Sequence, residues 1–84
     1  MSAILYVVAT PIGNLDDWSA RAIHTLKNVD LIAAEDTRQS ARLLSNYSIT
    51  TAVTACHDHN ESHKIIELIE MLVQGKSIAL ISDA

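Results

Sequence analysis

Four short apolar runs, Ile4 to Ala9, Val29 to Ala34, Thr51 to Ala55 and Ile78 to Ile81, alternate with three segments whose apolar residues recur at helical spacing. That alternation is the pattern of repeated strand-helix-strand units and predicts an α/β fold with a parallel sheet and helices on both faces. The first, second and fourth runs are apolar on both sides of the two-residue period, as expected for strands covered on both faces. The third is short and rich in threonine, so it makes the weakest strand. The first helix is predicted to begin near Asn14 to Asp16, where side-chain oxygens can cap free amides. Trp18, Ala22, Ile23 and Leu26 then form one apolar stripe, and Asn28 ends the helix. Thr37 is the expected N-cap of a second helix whose Ala41 and Leu44 face the sheet. Asn60 is the expected cap of a third. Its buried face would be Ile65, Ile66, Leu68, Ile69, Leu72 and Val73, with Gly75 at C′.

At 84 residues the chain has room for one small core, and with 49% hydrophobic and 19% charged residues it reads as globular rather than disordered. Its run ends at Ser82-Asp83-Ala84, directly after a strand. A buried parallel strand without a following crossover leaves one flank of the sheet uncovered, so residues 1–84 are expected to be the N-terminal part of a longer α/β domain. The formal charge is −4, and the sequence contains no run of Lys and Arg of the kind an autonomous nucleic-acid domain carries. If RNA is the substrate, most of the electrostatic grip is expected elsewhere. The single cysteine, Cys56, excludes an internal disulfide framework and fits a reducing, cytoplasmic setting. Ala3 to Ala9 has no basic stretch before it and is too short to span a bilayer.

In open α/β sheets ligands sit outside the carboxyl ends of the strands. There this sequence places Thr10-Pro11-Ile12-Gly13-Asn14, Glu35-Asp36-Thr37-Arg38, His57-Asp58-His59-Asn60-Glu61 and Ser82-Asp83. The turn from Pro11 to Asn14 fixes one φ angle, and Gly13 allows close backbone approach to a ligand; it could equally be a plain strand-to-helix turn. Glu35 and Asp36 are adjacent carboxylates that could bind a hydroxyl or cation or act as a base. Alternatively Asp36 or Thr37 caps the helix and Arg38 is a solvated partner. His57, His59 and His63 do not combine with a carboxylate or Cys56 at a spacing that completes a zinc set, so no metal is expected. His57 and His59 would hydrogen-bond across the crevice, and His63 would lie on a solvated face. Cys56 reads as a small core residue.

Leu5 to Leu15, Asp30 to Arg38, His57 to Glu61 and Ala79 to Ala84, read together and in this order, resemble the ribosomal small-subunit RNA methyltransferase I family, within the tetrapyrrole methylases. The resemblance covers the whole chain. It implies two α/β domains holding S-adenosylmethionine between them, a cytoplasmic homodimer, and methylation of a cytidine ribose 2′-oxygen in 16S ribosomal RNA. By resemblance, Thr10, Pro11, Ile12, Gly13 and Asn14, with Ser82, Asp83 and Ala84, would wall the cofactor pocket. Glu35 to Arg38 and His57 to Glu61 would face the reacting end or the RNA, with Glu35, Asp36 and His57 as candidate bases and Arg38, His59, Asn60 and Glu61 as candidate RNA contacts. The family continues past the position of Ala84 with a Gly-Thr-Pro stretch and a second domain, so residues 1–84 alone are expected to be inactive. Trp18 stands where a smaller aliphatic is more usual, a difference expected to change packing only. Two other readings remain open at this point. One is a dinucleotide-binding oxidoreductase domain, since Glu35 lies about twenty residues beyond the first turn, although only Gly13 speaks for the glycine fingerprint. The other is a non-catalytic α/β interaction module.

Overall fold

A computed structural model describes residues 3–9, 18–56 and 61–82, the backbone alone at Glu61. Its elements are β1 (Leu5–Ala9), α1 (Ala20–Asn28), β2 (Leu31–Ala34), α2 (Thr37–Asn46), β3 (Val53–Ala55), α3 (Glu61–Val73) and β4 (Ile78–Ser82). The four strands form one sheet in the order β1-β4-β2-β3, every neighbouring pair parallel. β2 and β4 occupy the centre, which is why Ile32, Ala33, Ala34, Ile78, Ala79 and Ile81 are all buried.

The register sorts the two faces. Val8 pairs with Ile81, Ile81 with Ala34, Ala79 with Ile32 and Ile32 with Val53, so these side chains share a face. They pack with Ala22, Ile23 and Leu26 of α1 and with Leu43 and Leu44 of α2. Both helices therefore cover one side. The β3-to-β4 crossover runs back across the sheet, and the right-handed rule for parallel connections sends α3 to the other side. At the amino-terminal edge, Asp30 and Ser77 exchange hydrogen bonds that lock β2 against β4. The Asp30 N–H donates to the Ser77 carbonyl at 2.9 Å, and Asp30 Oδ2 accepts from the Ser77 N–H at 2.8 Å.

Several boundaries differ from the sequence reading, each for an identifiable reason. α1 starts at Ala20, with Ser19 as the N-cap accepting from the Ala22 N–H at 3.1 Å. The expected caps Asn14 to Asp16 lie outside the described residues. Trp18 thus precedes the helix instead of belonging to its stripe. It is buried against Tyr47, ring centroids 5.8 Å apart, and its indole Nε1 donates to the Ala9 carbonyl at 2.9 Å. A buried indole N–H needs an acceptor, and a strand-end carbonyl supplies one. The difference at this position is therefore more than packing.

Asp36, not Thr37, caps α2, because it is the last extended residue before the helix and its carboxylate meets two free amides. Oδ1 accepts from the Arg38 N–H at 3.0 Å and the Gln39 N–H at 3.2 Å. Leu43 and Leu44 are buried and Ala41 is exposed, so the inward face is rotated from the expected Ala41–Leu44 pair. Asp36→Ala is expected to cost about 0.5 to 2 kcal/mol of stability and Asp36→Asn much less, because asparagine caps nearly as well. Urea denaturation of the two variants checks the ordering.

Thr51 lies before β3, its hydroxyl donating at 2.7 Å to the Leu26 carbonyl in the last turn of α1. Gly75 is the C′ residue of α3, as read from sequence. It has φ 88°, the Gly75 N–H donates to Leu72 and the Lys76 N–H to Met71, the paired bonds of a Schellman ending. The expected buried face of α3 is only partly buried. Leu68 and Leu72 are half-buried, whereas Ile65, Ile66, Ile69 and Val73 are exposed. Its apolar arc is wider than the stripe one sheet face can cover, and among the described residues no further layer meets the remainder. β1 departs in the same way. It is an edge strand with only Val8 buried, not a strand covered on both faces.

Candidate functional site at the carboxyl edge of the sheet

Because all four strands run the same way, their carboxyl ends fall along one edge. Ala9 pairs with Ser82, Ile81 with Ala34, and Ala34 with Ala55. Glu35 and Cys56 follow Ala34 and Ala55 directly, so the edge reads Ala9, Ser82, Glu35, Cys56 across β1, β4, β2 and β3. Adjacent strands are about 4.8 Å apart, so the whole row spans roughly 15 Å, comparable to a nucleoside-sized ligand with its substituents.

The segments beginning at Thr10 and Asp83 leave from neighbouring strands, β1 and β4. Thr10, Pro11, Ile12, Gly13, Asn14, Asp83 and Ala84 lie outside the described residues, as do His57, His59 and Asn60; of Glu61 only the backbone is described. Their anchor points are described. The hydrogen bond from Trp18 to Ala9 ties the residue that re-enters before α1 to the end of β1. Sequence reasoning had no assignment for Trp18 at this edge; the available signal was a large polar-tipped aromatic in an otherwise small-residue region.

Glu35 is exposed directly after the buried run Ile32 to Ala34 and makes no side-chain hydrogen bond or ion pair among the described residues. Asp36, one residue on, is engaged at the N-terminus of α2. Of the two, only Glu35 has a carboxylate that is not engaged among the described residues. Arg38 is exposed on the first turn of α2 and pairs with neither acid among the described residues. Ser82 is exposed at the end of β4, and His63 is exposed on α3, as expected. Cys56 is half-buried, and its N–H donates to the Ala34 carbonyl, extending the β2–β3 ladder by one bond.

Among the described residues no three His, Cys, Asp or Glu side chains are placed to hold a metal ion, and no helix is long and apolar enough to cross a membrane. An open cavity of about 500 Å³ lies between β1 and the start of α1, lined in part by Tyr6, Val8, Trp18 and Arg21. It reaches the carboxyl edge only at Ala9, and neither Ser82 nor Glu35 lines it. The strand ends are therefore the better candidate for chemistry.

Residues 4–83 match the family model for tetrapyrrole (corrin/porphyrin) methylases. The chain is 60% identical over its whole length to a Haemophilus influenzae protein named ribosomal RNA small subunit methyltransferase I, covering 30% of that relative. A Pasteurella multocida protein of the same name is 58% identical over 100% of the chain, again 30% of the relative. One from Bacillus subtilis is 56% identical over 96% of the chain and 28% of the relative. The chain thus spans about 30% of the length of the curated relatives it matches.

Proposed function

The chain belongs to the tetrapyrrole methylase family, and from that premise we propose that it forms part of an S-adenosylmethionine-dependent enzyme that methylates the ribose 2′-oxygen of a cytidine in 16S ribosomal RNA. The observation that carries this reading is identity of 51–60% along the chain to relatives named for the small ribosomal subunit RNA. Family membership also displaces the dinucleotide-binding and non-catalytic readings. A cytoplasmic homodimer is the assembly that the resemblance supports.

The residues present suit the cofactor, because the two segments assigned to it depart from the paired positions Ala9 and Ser82. Thr10 to Asn14 and Ser82 to Ala84 would hold it. When bound, it supplies a methyl group activated by a sulfonium. A ribose hydroxyl is a poor nucleophile at neutral pH, so the enzyme must align it and take its proton. Glu35 is the residue we assign to that proton, since Asp36 is committed to its helix and Glu35 is not. His57 is the alternative base from the neighbouring strand end, and Arg38, His59, Asn60 and Glu61 would steady the RNA.

The test is incubation of the intact protein with methyl-labelled S-adenosylmethionine and unmethylated small subunits. Label is expected in one cytidine ribose, where 2′-O-methylation blocks alkaline cleavage of the adjoining phosphodiester. Label on a base, or none, would remove the reading. Residues 1–84 alone are expected to transfer no methyl group.

A further inference from the structure

α1 and α2 contain no acidic residue, yet they carry Arg21, Lys27, Arg38 and Arg42, four of the six Lys and Arg in a chain of net charge −4. All four side chains are exposed, as is His24, and none makes an ion pair among the described residues, where the one pair is Lys64 with Glu67 on α3. Helical spacing aligns them. Arg21, His24 and Lys27 recur every three residues along the outer side of α1, and Arg38 and Arg42 stand four apart on α2. Their inward sides are fixed by the burial of Leu26, Leu43 and Leu44, so Lys27, Arg38 and Arg42 lie off the buried side, while Arg21 stands at the rim of the cavity beside β1.

The two helices share one face of the sheet. The fold thus places on one face two cationic rows that are separated in sequence by β2. The other helix, α3, holds Glu61, Glu67 and Glu70 against a single lysine. The overall negative charge therefore conceals a strongly polarised molecule. The absence of a basic run in the linear sequence does not carry over to the surface.

We propose that the outer surface of α1 and α2 is a docking surface for the phosphate backbone of the substrate RNA. This inference rests on the rRNA reading above and extends it to a surface outside the strand-end site. The occupant is set by charge complementarity: repeated, unpaired cations without interspersed carboxylates suit a regular polyanion. Arg21 and Arg38 occupy the first turns of their helices, which in a strand-helix-strand unit lie nearest the carboxyl ends of the strands. RNA held along the rows would reach the edge where Glu35 stands.

The test uses the intact protein and a triple variant, Arg21→Gln, Lys27→Gln and Arg42→Gln, which leaves Arg38 in place. Fluorescence anisotropy measures binding to a labelled fragment of small-subunit RNA from 0.05 to 0.2 M salt. Each lost phosphate contact lowers the slope of log K against log salt by about 0.7 to 0.9, so the slope should fall by about 2 and affinity at low salt by tenfold or more. Lys64→Gln with Lys76→Gln, outside α1 and α2, should leave both within about twofold, and circular dichroism should show all variants folded. Unchanged affinity and slope in the triple variant, with wild-type protein still binding and methylating RNA, would overturn this surface but leave the function standing. Failure of the wild-type protein to methylate RNA overturns the function itself. Loss of binding to anionic phospholipid vesicles with RNA binding intact would assign the surface to a membrane and overturn the proposal.

Discussion

Leu26→Ala is expected to destabilise residues 1–84 by about 3 to 5 kcal/mol, enough to remove a large share of the roughly 4 to 13 kcal/mol available to a chain of this size. Leu26 is 0% exposed and belongs to the cluster that joins α1 and α2 to the sheet. Truncation removes the transfer energy of one methine and two methyl carbons and leaves a cavity that β2 and β4, locked by their ladder, can close only in part. The same residue's carbonyl is held by Thr51, so a displaced α1 would also loosen the approach to β3. Val73→Ala is the comparison, since Val73 is 82% exposed and should change stability by about half a kcal/mol or less. The denaturation midpoints of the two variants give the answer. Equal losses would mean that α1 is not packed as described.

Glu35→Gln is expected to lower the methylation rate of the intact protein by about 10² to 10⁴, the usual contribution of a positioned base. Affinity for S-adenosylmethionine should stay within about twofold, because glutamine keeps the size and loses only the ability to accept the proton. Asp36→Asn should retain most activity, since the amide preserves the cap that Asp36 provides. Single-turnover kinetics separates the two carboxylates. A loss below threefold for Glu35→Gln, with a large loss for Asp36→Asn, would transfer the role to Asp36.

The strands and their parallel direction were legible because a parallel sheet leaves a strong mark: near-continuous apolar runs separated by helical periods. All four strands stand where those runs are, and Gly75 ends α3 where its freedom to take positive φ predicted. The finer boundaries were less legible. Asp36 and Thr37 are both good capping residues, and only the backbone approach decides which oxygen meets the free amides. Trp18 fits a helical stripe by spacing, yet its indole N–H needs an acceptor, and the nearest strand end provides one.

The sequence by itself therefore determined the α/β class, the direction of the strands and the gathering of Glu35, Asp36 and Ser82 at one edge, because each follows from local periodicity and from the handedness of crossovers. Tertiary structure decided what depends on neighbours distant along the chain. It left β1 at an edge and most of the apolar arc of α3 uncovered, since burial requires a second layer and not only an apolar pattern. It also freed Glu35 while engaging Asp36, and it brought Arg21 and Lys27 onto the same face as Arg38 and Arg42. A count of charges along the chain cannot register that last arrangement, because two consecutive crossovers running the same way across the sheet are what place both helices on one side.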